Sequence, residues 1–282
     1  MPHFRGDWPT RRDETSVTAR LDVELVRRGL ARSRRQASEL IAAGRVQVDG
    51  AFVVRPATAV DEDRVLVVGD DPDDPGYASR AGHKLAGAFE AWEPSGLTVA
   101  GRDCLDAGAS TGGFTDVLLR RGAGHVVAVD VGHGQLRPEI ADDPRVESRE
   151  GVNVRDLVAG DIKPAPSLVV ADLSFISLRL VLAPLAAVAA PDADVVVLVK
   201  PQFEVGRERL GSGGVVRDVA GRRDAVLGVL AAADEAGLAA VDLVVSPLPG
   251  QDGNVEFFCW LRKAGGARLD RARIDEVLGG TQ

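Results

Sequence analysis

The chain has 282 residues, 45% of them apolar and 27% charged, and a formal net charge of −8 at pH 7. Such a composition belongs to a globular protein with a sizeable core and excludes a disordered chain, while the length asks for two domains or for one large domain with a small companion. The acidic balance excludes a nucleic-acid coat along the whole chain, but not charge segregated between its parts.

Residues 1–16 lack periodicity and the apolar core of a signal peptide, and are expected to form a flexible tail. A compact unit is predicted over residues 17–68. Leu21, Leu25 and Val26 stand at helical spacing, and Ser33 with Gln36 forms a capping box that opens a second helix through Ile41, ended by Gly44. RVQV, the turn dipeptide Asp49-Gly50 and AFVV predict a β-hairpin, with RVLVV as a further strand. Between residues 17 and 56, eight arginines face only four acids. Arginine pairs bidentately with phosphate and stacks on bases, so Arg20, Arg27, Arg28, Arg32, Arg34, Arg35 and Arg45 are candidate RNA contacts. Arg34 and Arg35 sit just after the Ser33 cap, where the helix dipole disfavours cations and an anionic partner would offset the cost.

Residues 69–79, containing DDPDDPG, read as an acidic linker. From 80 to 265 strands alternate with helices, which predicts an α/β domain with a mostly parallel, Rossmann-like sheet. The strands are RDCLDAG, HVVAVDVG, SLVVADLS and DADVVVLVKPQ, and AAVDLVVSP with NVEFFCWLRKA closes the domain as an antiparallel pair. Residues 266–282 are Arg-rich and are expected to form a loosely helical tail. Apolar runs are broken by Pro184, Pro191 or charge well short of the roughly 20 residues of a membrane span, so a cytoplasmic protein with no membrane partner is expected. Cys104 and Cys259 lie in apolar runs and the four histidines are scattered, so neither a disulfide framework nor a metal site is expected.

In LDAGASTGGFTDVLLRRG a strand leads through a glycine-rich turn straight into a helix, which lets the backbone approach a nucleotide at the helix N-terminus. Asp106, Gly108, Ser110, Gly112, Gly113 and Phe114 are the candidate cofactor residues there, and Asp130, ending the next strand, is placed to accept ribose hydroxyls. Asp156 is a candidate adenine contact, with a solvated loop acid as the alternative. The glycine spacing differs from the dinucleotide fingerprint and no Lys-Ser/Thr pair follows it, which favours S-adenosylmethionine over NAD or ATP.

Open α/β sheets bind ligands beyond the carboxyl ends of their parallel strands. Asp106, Asp130, Asp172 and Lys200 each close an apolar run there. Glu256 opens an antiparallel strand at the same rim, and Lys84 precedes the first strand on a helix able to pack over it. Two lysines and two carboxylates beside a sulfonium donor suit methylation of a hydroxyl, a poor nucleophile until its proton is removed or shared. In this reading Lys200 accepts the proton, Asp172 orients Lys200 and borders the cofactor, and Lys84 with Glu256 holds the ribose.

Those four residues, in this order, resemble the Lys-Asp-Lys-Glu tetrad of the FtsJ-like ribose 2'-O-methyltransferases. From Ala19 to about Ala264 the chain is similar to the TlyA family, on the strength of RLDVELVRRGLARSRRQASELIAAGRVQVDG, SRAGHKL, DAGASTGGFTD, VVADLSFISL, VKPQFEVGRE and GNVEFF. The resemblance implies a small α+β RNA-binding domain of the S-four type followed by a class I S-adenosylmethionine-dependent methyltransferase domain. It further implies ribosomal RNA in ribosomal subunits as partner, with cytidine 2'-hydroxyls as targets. Rival readings are a non-catalytic ribosome-assembly factor, a small-molecule methyltransferase and a membrane-active haemolysin. The intact tetrad speaks against the first, the basic module against the second, and apolar runs that read as buried strands against the third.

Overall fold

The computed structural model describes residues 18–31, 33–69, 75–206, 209–211, 213–250, 252–263, 265 and 269–280. The chain divides into two compact units, Met1–Pro75 and Gly76–Gln282.

In the first unit, β1 (Ala19–Arg20) leads into α1 (Leu21–Arg27) and α2 (Arg34–Ala42). Ser33 Oγ accepts the Gln36 N–H at 3.2 Å, which starts α2 where the capping signal places it. Strands β2 (Val46–Val48) and β3 (Ala51–Phe52) follow, then β4 (Ala59–Val60), which pairs with β1, and β5 (Leu66–Val68). β2 is central in an antiparallel sheet ordered β3-β2-β5. Asp49 and Gly50, at φ +50° and +81°, supply the positive φ angles that a two-residue hairpin turn requires. Leu21, Leu25, Ala37 and Ile41 from the helices bury against Val46, Val60 and Leu66.

The second unit opens with α3 (Arg80–Trp92), β6 (Asp103–Ala107), α4 (Gly113–Arg120), β7 (His125–Asp130), α5 (Pro138–Ala141) and β8 (Val146–Glu150). It continues with β9 (Leu168–Ala171), α6 (Leu182–Val188), β10 (Asp194–Val199), α7 (Pro201–Glu204), α8 (Val219–Glu235), β11 (Ala239–Val245), β12 (Phe257–Arg262) and α9 (Arg271–Gly279). The sheet order is β11-β12-β10-β9-β6-β7-β8, and β12 runs antiparallel to both its neighbours. Alternate side chains serve opposite faces. Leu105, Val127, Val169, Val195 and Leu261 pack with α6, α8 and α9, while Cys104, Val126, Val170, Val196 and Trp260 pack with α3 and α4.

One strand gives no signal in the sequence, and one expectation changes. β8, with the sequence VESRE, is an edge strand whose polar residues give no apolar run to read. The stretch expected as a C-terminal tail contains α9, which buries Ile274, Val277 and Leu278 in the core. Their i, i+3, i+4 spacing makes one apolar stripe that the surrounding arginines obscure. Asp270 caps this helix, accepting the Arg273 N–H at 2.7 Å. Among the described residues, no helix is long and apolar enough to cross a membrane and no cluster of metal-ligating side chains occurs.

Candidate active site

Strand register builds the site. Ala107 pairs with Ala171, Ala171 with Val197, and Val199 with Phe257. The next residues outward on three strands are therefore Gly108, Asp172 and Lys200, and the residue before Phe257 is Glu256. All four meet at the rim formed by the carboxyl ends of β6, β9 and β10. Asp172 N donates to the Ala107 carbonyl at 3.1 Å. A Cβ on Gly108 would lie 2.6 Å from the Asp172 carbonyl oxygen, and the residue has φ +88°, so both space and backbone conformation demand glycine here.

Two ammonium–carboxylate pairs stand at this rim. Ser79 caps α3, accepting the Ala81 N–H at 3.2 Å, and one turn on the helix delivers Lys84 into the interior. Lys84 Nζ donates to Glu256 Oε2 at 2.5 Å, and both side chains are buried. The other carboxylate oxygen, Oε1, accepts Gln202 Nε2 at 3.4 Å. Lys200 Nζ lies 2.6 Å from Asp172 Oδ1 and donates to Ser174 Oγ at 2.8 Å. Beside them Phe175 is 93% exposed at φ +63°, a conformation rare for a residue with a Cβ, and its ring lies 5.3 Å from that of Phe203. An exposed, strained aromatic next to the Lys200 pair offers a flat surface to a nucleobase.

The cofactor candidates separate by position. Asp130 Oδ2 accepts the Ser110 N–H and Oδ1 the Gly132 N–H, both at 2.8 Å. With Ala109, Ser110, Gln135, Ser148 and Glu150, Asp130 lines a small cleft that opens to solvent. Gly112, at φ +93°, caps α4. Gly113 makes room for the α3 cap, since a Cβ there would strike Ser79 Oγ, and Phe114 is buried with its ring 6.0 Å from Phe258. Both residues pack within the fold. Asp156 is exposed and is not among the residues that line the cleft; Ser148 and Glu150, on the unforeseen strand β8, occupy that wall instead.

Asp106 is wholly buried, its Oδ2 accepting Thr115 Oγ1 at 2.7 Å and its Oδ1 without a hydrogen-bond partner. Burial pushes its carboxyl up to about 7, against the Thr115 hydrogen bond and with the nearby Asp172 and Asp130 charges adding to the rise. S-adenosylmethionine fits this donor set. The glycine turn admits a close-lying ligand, Asp130 suits ribose hydroxyls, and Asp130, Asp172 and Glu150 suit a cationic group better than a pyrophosphate.

In the first unit the arginines divide. Arg20 reaches Asp22 at 2.9 Å through Nε, and Arg34 Nη2 reaches the same carboxylate at 2.9 Å. Arg27 and Arg28 both reach Glu24 at 2.6 Å. Asp22 and Glu24 are themselves buried, and the guanidiniums hold both carboxyls down at about 2 against the opposing effect of burial. Arg28 also donates to the carbonyls of Asp61, Glu62 and Arg64, so its donors serve the fold. Arg45 Nε donates to the Gly69 carbonyl at 3.1 Å, and Arg35 pairs with Glu39 at 3.0 Å. Arg32 lies outside the described residues. Arg20, Arg27, Arg34 and Arg35 keep half or more of their side chains in solvent.

Ser174, Phe175, Gln202 and Phe203 were not singled out by sequence reasoning, although they lie within ADLSFIS and VKPQFE. Proximity in sequence to Asp172 and Lys200 was the only signal available.

Residues 77–263 match the FtsJ-like methyltransferase model and residues 19–66 match the S4 domain model. The chain is 57% identical to the 16S/23S rRNA (cytidine-2'-O)-methyltransferase TlyA of Mycobacterium tuberculosis, covering 90% of this chain and 92% of that one. It is 38% identical to Hemolysin A of Brachyspira hyodysenteriae, covering 84% and 97% respectively. Among solved structures, a hemolysin-named protein from Streptococcus thermophilus superposes with a TM-score of 0.74 at 37% identity, covering 93% of this chain and 95% of that one.

Proposed function

Because the chain belongs to the TlyA family, in which an S4 domain precedes an FtsJ-like methyltransferase domain, we propose that it transfers a methyl group from S-adenosylmethionine to cytidine 2'-hydroxyls of ribosomal RNA within ribosomal subunits in the cytoplasm. The observation that carries this reading is the pair of ammonium–carboxylate contacts, Lys84–Glu256 at 2.5 Å and Lys200–Asp172 at 2.6 Å, on the strand ends beside the glycine turn.

Asp130 would hold the ribose of the cofactor, and the backbone around Gly108 and Ser110 would hold its remainder. Bound there, S-adenosylmethionine supplies an electrophilic methyl group. The substrate ribose enters between the two lysines. Lys84, fixed by Glu256, donates a hydrogen bond to the sugar and limits its rotation. Lys200 Nζ, as the neutral amine left once its own proton has gone to solvent, takes the proton of the 2'-hydroxyl as the oxygen bonds to the methyl carbon and that carbon parts from sulfur, and Asp172 with Ser174 keeps that nitrogen aimed. Phe175 provides the face on which the target base stacks once it leaves its helix. Arg20, Arg27, Arg34 and Arg35 meet phosphates and hold the RNA without reading its sequence.

Single-turnover transfer from tritiated S-adenosylmethionine to each purified ribosomal subunit, followed by mapping of alkali-resistant ribose, tests the reading. Lys200→Ala is expected to slow transfer by roughly 10²–10⁴-fold, the usual contribution of a positioned acid or base. Label confined to bases, or a normal rate in the variant, would overturn it.

A further inference from the structure

Two loops carry the Lys200 half of the site: residues 172–177, following β9, and the turn from Lys200 into α7. Lys200 itself joins them through Asp172 and Ser174. A second join lies at the far end of α7, where Glu204 is buried. Its Oε1 accepts the Leu178 N–H at 2.7 Å and its Oε2 accepts the Ser177 hydroxyl at 2.5 Å. Arg179 Nε stands 3.4 Å from Oε2, and Arg179 Nη2 donates to the Glu204 carbonyl at 2.8 Å. Ser177 passes the restraint onward, because its Oγ also accepts the Arg179 N–H at 3.3 Å and caps the short 3-10 turn Leu178–Leu180.

The first join is the one the reaction disturbs. Lys200 Nζ must turn from its ion pair with Asp172 and its hydrogen bond to Ser174 toward the ribose hydroxyl, and the loop then loses contacts at that end. Phe175 meanwhile sits in a left-handed conformation that an unrestrained loop would abandon. Glu204 faces no such demand, since its partners, the Leu178 N–H, the Ser177 hydroxyl and the Arg179 guanidinium, are none of the groups assigned to the reaction.

We propose that Glu204 is a positioning residue that holds the 172–177 loop against the Lys200 turn while Lys200 engages the substrate. The proposal rests on the reading of Lys200 as the group that meets the ribose hydroxyl. A carboxylate suits its partners. Three donors face it, the Leu178 N–H, the Ser177 hydroxyl and Arg179 Nε, and glutamine would keep one acceptor for the Leu178 N–H while its NH₂ group faced the Arg179 cation and turned the Ser177 hydroxyl from donor to acceptor. Aspartate keeps both acceptors on a shorter arm.

The test uses the full chain with Glu204→Gln, Glu204→Asp and, as a milder variant, Ser177→Ala. Single-turnover rate, S-adenosylmethionine affinity by calorimetry and KM for the ribosomal subunit are measured at a temperature where circular dichroism shows each variant folded. Glu204→Gln is expected to lower the rate roughly ten- to a hundredfold, as misplacement of a reacting group does, with cofactor affinity and KM within about twofold of wild type. Glu204→Asp recovers part of the loss, and Ser177→Ala loses less than Glu204→Gln. If Glu204→Gln does not fold, Ser177→Ala decides by the same split between rate and affinity. A wild-type rate overturns the proposal, and so does a loss shared equally by rate and cofactor affinity, which marks general loosening. The Lys200→Ala control separates the two levels: if that variant is active, the reading of Lys200 fails and the proposal with it. If it is inactive while Glu204→Gln is normal, only the role of Glu204 fails.

Discussion

Both units pair basic side chains with buried carboxylates, to opposite effect. In the first unit one carboxylate serves two guanidiniums, Asp22 for Arg20 and Arg34 and Glu24 for Arg27 and Arg28. Each acid is enclosed, the Asp22 cluster is left with a net positive charge while Glu62 also reaches Arg27 in the other, and three of the four arginines keep about half their surface in water. At the candidate site of the second unit each carboxylate meets one ammonium, and the Lys84–Glu256 pair is enclosed on both sides. The first arrangement anchors cations at their base and shows their heads to an anionic polymer; the second cancels charge and fixes geometry. Breaking the pair enclosed on both sides is costly, because the partner left behind is a buried charge without a counter-ion.

Breaking the enclosed pair gives the largest effect. Glu256→Gln strands the Lys84 ammonium in the interior, and about 3–5 kcal/mol of stability is expected to disappear in thermal or denaturant unfolding. Combining it with Lys84→Met returns much of that stability without returning methyl transfer, which distinguishes the positional role of the pair from its charge. Next comes the cofactor acid. Asp130→Ala removes the acceptor for the Ser110 and Gly132 N–H groups. At the roughly 1.5–3 kcal/mol typical of a hydrogen bond to a charged group, S-adenosylmethionine affinity is expected to fall tenfold or more by calorimetry.

The presented arginines give a smaller, salt-dependent effect. Arg20→Ala and Arg34→Ala should each weaken subunit binding several-fold at low salt and lower the slope of log K against log salt by about 0.7–0.9, the contribution of one phosphate contact. An unchanged slope would remove that arginine from the RNA interface. The smallest effect is one of pH. Asp22 and Glu24 titrate near 2 in the folded unit, below the roughly 4 expected of unfolded carboxylates. Their contribution to stability is complete above pH 4 or so and is lost as pH falls through about 2. Hydrogen exchange of α1 in the whole chain, measured across that window, should show protection falling on acidification, and Asp22→Asn should flatten the fall.

Sequence legibility followed the locality of each signal. The Ser33 cap, the Asp49-Gly50 turn and the glycine turn are local, and each is found where its residues place it. Asp172, Lys200 and Glu256 were readable because parallel strands end at one rim and an antiparallel strand begins there. Glu150 was not, because β8 carries polar residues at an edge and its place beside Asp130 comes from the sheet register. Gly113 and Phe114 show the converse. Membership of the glycine-rich turn suggested ligand contact, while the helix they enter turns them toward α3 and the core. Glu204 escaped notice because its partners lie 26 and 27 residues away on another loop.

The recognisable methyltransferase segment ends at residue 263, yet α9 lies beyond it and inserts three apolar side chains into one face of the sheet. Anyone trimming the gene to that segment for expression would bare a greasy strip over β11, and the product would be prone to clump for reasons unrelated to its chemistry. A tag on that end belongs after Gly279, where the last turn of the helix is spent.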